Sequence, residues 1–420
     1  MDRERWFDCY YEDVVLLKYS DEKRRIQAHL KYESLPEVTL ESSSFRGDLH
    51  KVPKQLSYTS RKSVIQSALA DTLCADLTIE EFLARLNIIL STSYTLHTVG
   101  IHSVLGDCVQ KKYDFGTAYA HLRSFWYHGD FTTLVDDLSE RKAQYRQMLE
   151  DVFVDDRIIY PCVPPQHIWD LYSDQVISWC VTWPRLWAIS HAWMDKDSCR
   201  DVQTAINDYQ WPVPIPNATD LEQIRIEMLN LGAEYVWLDV LCLRQEGGLM
   251  KDLWVKEWKV DVPTIGSVYA GADKVVCYLC GLGRSWTSKL LCSENDWFKR
   301  AWTLQEVSEH LIIGGDTWGY KTDGRDERVM VEEKLTRLKK THGQHCVYDV
   351  LSQMQQRVST NPVDKVAGMA YLLHSDSIPV YHGTQSEEDM WTSLVEVAAL
   401  QCQWDLLFLY PEPGDGSKAW

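Results

Sequence analysis

Ser190, His191 and Trp193 follow the apolar run LWAI (186–189). Asp239, Arg244 and Gln245 lie in or just past YVWLDVLCL (235–243), and Gly281, Gly283 and Arg284 follow KVVCYL (274–279). Trp302 and Glu306 belong to WFKRAWTLQEV (297–307). Carboxylates can stabilise developing charge or move a proton, indoles can stack on flat rings, and guanidiniums can grip phosphates. In an open parallel sheet a ligand binds in the crevice beyond the carboxyl ends of the strands, where polar residues at the ends of apolar runs collect.

Each residue also has a plainer reading. Glu306 is either a reactive carboxylate or a structural one paired with Arg300 or His310. Asp239 is the only charge in its apolar run, and either meets a ligand or caps a neighbouring helix. Ser190 and His191 cannot act on each other as nucleophile and base, because adjacent strand residues face opposite sides. His191 alone reads equally as a packed histidine. Gly281-x-Gly283 lacks the third glycine of a dinucleotide fingerprint, and no G-x-x-x-x-G-K-[ST] phosphate loop occurs.

The elements that must position these groups alternate. LWAI, YVWLDVLCL, KVVCYL and LIIGG (311–315) read as four strands with helical stretches at 221–232 and 252–270 between them, and WFKRAWTLQEV as a further helix. On that helix Phe298, Trp302 and Glu306 are four apart and share a face, with Asn295 or Asp296 as N-cap. Gly232 fits a C-cap, and a Pro-rich excursion, WPVPIPNATD (211–220), precedes its helix. Strand and helix in alternation with short connections predict a doubly wound parallel α/β sheet.

This domain is expected over 165–320, with PCVPPQ (161–166) as its boundary. Residues 1–160 predict a mixed, mainly helical region of unknown role. Short strand-like pieces (VVLLKYS, HLKYESLPEVTL) come first, then helices over 79–90, where Thr78 and Glu81 form a capping-box pair, and 133–153. A helical C-terminal extension is expected over 321–420: 328–358, 361–373, one amphipathic helix over 386–409, and a polar end, PEPGDGSKAW.

Lys plus Arg number 43 against 61 Asp plus Glu, a formal charge of −18. That balance opposes a nucleic-acid or anionic-membrane footprint, while leaving room for a small anion held by a few local arginines. No run approaches the ~20 apolar residues of a membrane span. MDRERWFDCY has no apolar signal region, so the twelve cysteines are expected as free thiols in a reducing, cytoplasmic setting. Cys277 and Cys280 lie three apart on a strand, on opposite faces, which argues against a shared metal.

Taken together, the blocks resemble the fungal heterokaryon-incompatibility (HET) domain. AISHAW matches its Ser-Tyr/His-x-Trp motif, and Trp237, Asp239, Cys242 and Gln245 match its Trp-x-Asp-x-x-Cys-x-x-Gln core. Glu257 with Tyr269-Ala270-Gly271-Ala272, and then Arg300, Trp302, Thr303, Gln305 and Glu306, match two later motifs; DKVAGMAYLL resembles a stretch common downstream. Met194 stands where a glycine is usual, and Leu243-Arg244-Gln245 where Ile-x-Gln is usual.

HET domains in turn resemble TIR domains, which share the flavodoxin-like order of elements. The resemblance implies a flavodoxin/TIR-like fold and a role in self/non-self recognition, innate immunity and cell death. Partners would be NAD as substrate and either a second copy or another incompatibility protein. Trp302-Thr303-Leu304-Gln305-Glu306 occupies the place of the TIR W-C-x-x-E pattern, which implies a catalytic Glu306 cleaving NAD, with no other cofactor. Ser190, His191, Trp193, Asp239, Gly281 and Trp302 would line the substrate, with Trp193 or Trp302 stacking on a ring and Arg244 or Arg284 holding the pyrophosphate. The rival reading is a signalling module that self-associates without chemistry.

Overall fold

The computed structural model describes residues 35–42, 52–286, 296–316, 325–342, 347–373, 375 and 377–408. The segments MDRERWFDCY, VVLLKYS and PEPGDGSKAW lie outside them, as does most of HLKYESLPEVTL; the VTLE of the last forms a strand, Val38–Glu41. The chain divides into two compact units, one mainly from residues 58–141 with 170–175, the other from 142–169 and everything from 176 onward.

The first unit is helical because its sequence repeats apolar residues at helical spacing between clear caps. Thr78 accepts from the Glu81 amide while Glu81 reaches back to the Thr78 amide, so the expected capping box starts Ile79–Ile89. Asp114 caps Phe115–Arg123 through the Thr117 amide. Phe82, Leu86, Phe115, Tyr119 and Trp126 meet in one core.

Asp170 is fully buried in this unit and accepts both 3.1 Å bonds from Arg123 Nη2 as well as the Tyr172 amide. Removing one partner of such a pair strands the other as a buried charge. Asp170→Ala is expected to cost about 3–5 kcal/mol, read as a fall in the urea midpoint; an unchanged midpoint would refute the pairing.

The second unit is built on a six-stranded sheet. Four strands carry the expected α/β pattern: β1 (Trp187–His191), β2 (Tyr235–Leu238), β3 (Lys274–Tyr278) and β4 (Leu311–Ile313). They lie in the order β4-β3-β1-β2, all parallel, and the strands His167–Asp170 and Gln175–Ser178 extend the β2 side. This is the flavodoxin-like order, in which the chain leaves β1 toward β2 on one side and returns to β3 on the other. The switch point therefore lies between β1 and β3.

Register fixes which side chains share a face. Ser190 pairs with Cys277 and Ala188 with both Trp237 and Val275, so these look to one side. His191 pairs with Tyr278 and looks to the other. Helix α1 (Leu221–Leu231) starts at Asp220, whose carboxylate accepts the Glu222 amide, and ends at Gly232 with φ +101°. It packs on the Tyr278 face, where the Tyr278 hydroxyl donates to Glu227 at 2.8 Å.

Several elements differ from the sequence expectation. The stretch expected as one helix at 252–270 is two, Lys251–Asp261 and Ile265–Gly271, and Glu387–Val397 and Leu400–Phe408 replace one helix over 386–409. The Pro-rich excursion includes a strand, Val213–Pro216, antiparallel to Cys199–Val202.

The largest difference is at 297–307, which is not a helix but two short 3₁₀ turns, Trp297–Lys299 and Trp302–Leu304, with extended backbone at Arg300. The cause is a distant strand contact. The Val358 amide donates to Lys299 O, and Val358 O accepts the Ala301 amide, so these groups are withdrawn from any helical ladder. Phe298, Trp302 and Glu306 therefore do not share a helical face.

Candidate functional site at the carboxyl edge of the sheet

The carboxyl end of β1 distributes its last two polar side chains to opposite faces, as its pleat requires. Ser190 is fully buried, and its Oγ donates to Glu306 Oε2 at 2.5 Å while accepting from Trp297 Nε1 at 2.7 Å. Glu306 is 8% exposed, and its other oxygen, Oε1, accepts no hydrogen bond from the described residues. Tyr269, on Ile265–Gly271, donates its hydroxyl to Ile189 O at 3.0 Å and packs edge-on against Trp237, lining the same face.

Burial pushes the Glu306 carboxyl up to about 7. The Ser190 hydroxyl opposes that shift, Asp239 adds to it, and His191 and Arg357 oppose it. At neutral pH this carboxyl thus exchanges a proton readily, where an ordinary surface glutamate would stay ionised.

On the other face His191 Nε2 lies 2.8 Å from Asp239 Oδ1, and Trp193 Nε1 donates to Asp239 Oδ2 at 2.8 Å. The His191 and Trp193 rings stack with centroids 5.6 Å apart. Asp239 begins the short helix Asp239–Cys242 immediately after β2 and also accepts the Val240 amide. Its carboxylate caps no neighbouring helix, because the short helix it begins has no side-chain cap, and both of its oxygens are held by His191, Trp193 and the Val240 amide. Burial alone would lower the His191 pKa, but the charge and hydrogen bond of Asp239 outweigh it and raise it. Trp193 is 37% exposed, the most open ring of the cluster.

The remaining candidates form the rim or lie apart from it. Gly281 has φ +103°, and a Cβ there would come within 2.7 Å of Met194 Sδ. Met194, the departure from the usual glycine, thus packs over Gly281, and Arg284 Nη1 rests on its sulfur at 3.2 Å. Arg244 is engaged elsewhere: its guanidinium pairs with Glu257 at 3.0 Å, meets Gln210 at 3.1 Å and lies over the Trp211 ring. Trp302 bonds to Asp364 and sits beside Tyr381. Gln245 donates to Leu243 O and Asp239 O, closing the turn after β2.

The structure thus brings together Ser190 with Glu306, His191 and Trp193 with Asp239, and Gly281 with Arg284; it separates Arg244 and Trp302 from these. Sequence reasoning passed over Trp297, which anchors Ser190, and Arg357. It also missed Glu227, buried on α1 and accepting from Gln55 Nε2 at 2.6 Å, Tyr278 Oη at 2.8 Å and the Gly315 amide at 2.8 Å. The one available signal was a charge on the apolar side of α1. Among the described residues no group of three or more His, Cys, Asp or Glu side chains could hold a metal, and no helix is long and apolar enough to cross a membrane.

Ser190→Ala would leave the Trp297 indole without a buried acceptor and remove the bond that favours ionised Glu306. The expected result is a loss of about 1–3 kcal/mol in urea unfolding and a Glu306 titration displaced to higher pH. A variant titrating like the parent would show that the 2.5 Å contact carries no weight.

The fold is a flavodoxin-like α/β domain with a buried carboxylate at its switch point. Residues 187–291 match the family described as heterokaryon incompatibility protein (HET), so the chain carries a HET domain. The match begins at the first residue of β1 and runs past β3, ending before Trp297 and Glu306. No curated protein and no solved structure matches the chain.

Proposed function

We propose that the carboxyl edge of this HET domain cleaves NAD to nicotinamide and ADP-ribose, as part of self/non-self recognition leading to cell death. The observation that carries the reading is Glu306: a carboxylate fixed through Oε2 by the last inward residue of β1, at the switch point, with Oε1 left for a ligand. The W-x-x-x-E spacing shared with TIR enzymes supports the same assignment.

In the proposed reaction the bond between nicotinamide nitrogen and ribosyl carbon breaks, and its electron pair neutralises the pyridinium. Positive charge then builds on the ribosyl carbon and ring oxygen, as in glycoside cleavage. Ionised Glu306 stabilises that charge or orients the ribose hydroxyls. Water adds to the ribosyl carbon and releases one proton, so NAD⁺ and water yield nicotinamide, ADP-ribose and H⁺. The leaving group departs neutral and needs no general acid. Ser190 holds Glu306 in place. Trp193 offers a face for a base or for nicotinamide. Arg284, whose fork is engaged only by Met194 among the described residues, would meet the pyrophosphate. Arg244 would first have to leave Glu257.

The test is release of free nicotinamide from NAD by the purified full chain, both dilute and concentrated enough to self-associate. One observation favours the rival reading, self-association without chemistry: Glu306 is mostly buried and already bonded internally, as a structural carboxylate would be. No release at any concentration would select that reading.

A further inference from the structure

The two turns that carry Glu306 do not hold themselves. A 3₁₀ turn has poorer hydrogen-bond geometry than an α-helix, and here two single turns are joined by extended backbone at Arg300. The missing support comes from residues 357–371, far outside the matched family segment. Val358 bridges the backbone on both sides of Arg300. Arg357 Nη1 donates to Arg300 O at 2.6 Å and to Thr303 Oγ1 at 2.7 Å, one atom tying the two turns together. Thr303 Oγ1 lies in turn 2.7 Å from Trp297 O, so the brace reaches the residue that bonds Ser190.

Arg357 is only 3% exposed, yet it forms no ion pair among the described residues. An unpaired buried guanidinium is costly, and the ordinary solution is a carboxylate in contact. Instead the carboxylates whose fields Arg357 feels are Glu306 and Asp296, acting at a distance. The titratable groups whose charges act on Glu306 or respond to its charge are Cys277 and Tyr269 on its own face, His191 and Asp239 across the sheet, and the two arginines Arg300 and Arg357. Of the two arginines, Arg357 is the more deeply buried, and a charge there is the less screened by water.

We infer that Arg357 is a positioning residue for Glu306: its guanidinium braces both turns that present the carboxylate, and its positive charge contributes to the field there. The HET-domain site is then completed by the C-terminal extension, and the segment matched by the family is not sufficient for it. The inference rests on the reading of Glu306 as the reactive group, but its physical content can be measured without NAD.

The experiment follows the carboxyl band of Glu306 by infrared spectroscopy of the full chain against pH, identified by its absence in Glu306→Gln. Arg357→Gln should move the titration midpoint to higher pH by about one pH unit, with the fold retained by near-UV circular dichroism. Arg357→Lys keeps a charge on a chain that cannot span both acceptors, and should move the midpoint in the same direction by less. A folded Arg357→Gln protein titrating as the parent does overturns the inference. Should that variant not fold, Arg357→Lys decides: a midpoint identical to the parent's overturns it, and an upward displacement supports it. If the midpoint moves while neither parent nor variant releases nicotinamide, the NAD reading fails and the role of Arg357 stands.

Discussion

Glu306→Gln is expected to lower nicotinamide release by roughly 10²–10³-fold, the range found when one preorganised electrostatic group is removed from a transition state. The neutral amide keeps the shape of the side chain and offers Ser190 the same kind of acceptor, but cannot stabilise an oxocarbenium charge. Loss of activity through unfolding is separable, because the substitution should not weaken the fold. Ionised Glu306 is buried at a cost that the amide does not incur, its carboxyl standing at about 7 instead of near 4. Above pH 7 the variant should therefore melt at the same temperature as the parent or higher. Substantial release by the variant would refute the assignment of Glu306. A large fall in its Tm would make Glu306 a structural carboxylate.

The second large effect is a stability that declines as pH rises from mildly acidic values. Burial raises five carboxyls among the described residues: Glu306 to about 7, Asp261 to about 8, and Glu227, Asp296 and Asp364. His191 is also raised, because Asp239 more than offsets its burial. Between about pH 4 and 7 the folded chain retains a proton on Glu306 that the unfolded chain has released, so each step up in pH weakens folding. For Glu306 the decline ends above pH 7, and for Asp261 it continues to about 8. His191 has the same sign: its contribution is complete below the unfolded value near 6.5 and disappears as pH passes its raised folded value.

Glu306 alone should contribute on the order of 3 kcal/mol to this decline. Exposed acids such as Glu81, whose pKa is lowered by its bonds to Thr78, act in the opposite sense. Urea unfolding at pH 5 and pH 8 measures the balance; equal or greater stability at pH 8 would refute it. Asp261→Asn should flatten the upper part of the decline. In the proposed reaction Glu306 acts in its ionised form, so release should rise with pH in a one-proton step near 7 while stability falls. The site would then gain its reactive charge at the expense of the fold, a trade expected of strained functional groups.

What could be read from the sequence was whatever depends on neighbours a few positions away. The capping box of Thr78 and Glu81, the helix from Leu221 to its glycine stop, the four apolar strands and the opposite orientations of Ser190 and His191 all follow from period and local chemistry. So did the residues gathered at the carboxyl edge, because strand ends in a parallel sheet converge there whatever the details of packing.

What the tertiary structure alone decided involves partners far apart in the chain. Ser190 bonds Glu306 across 116 positions, and Arg357 reaches Thr303 across 54. WFKRAWTLQEV has a helical pattern, yet Val358 takes the hydrogen bonds that its helix would need around Arg300. Arg244 carries the right charge for a phosphate, but Glu257, Gln210 and Trp211 enclose it. Periodicity encodes which side of an element is apolar; it does not encode which polar groups, once buried together, must satisfy one another.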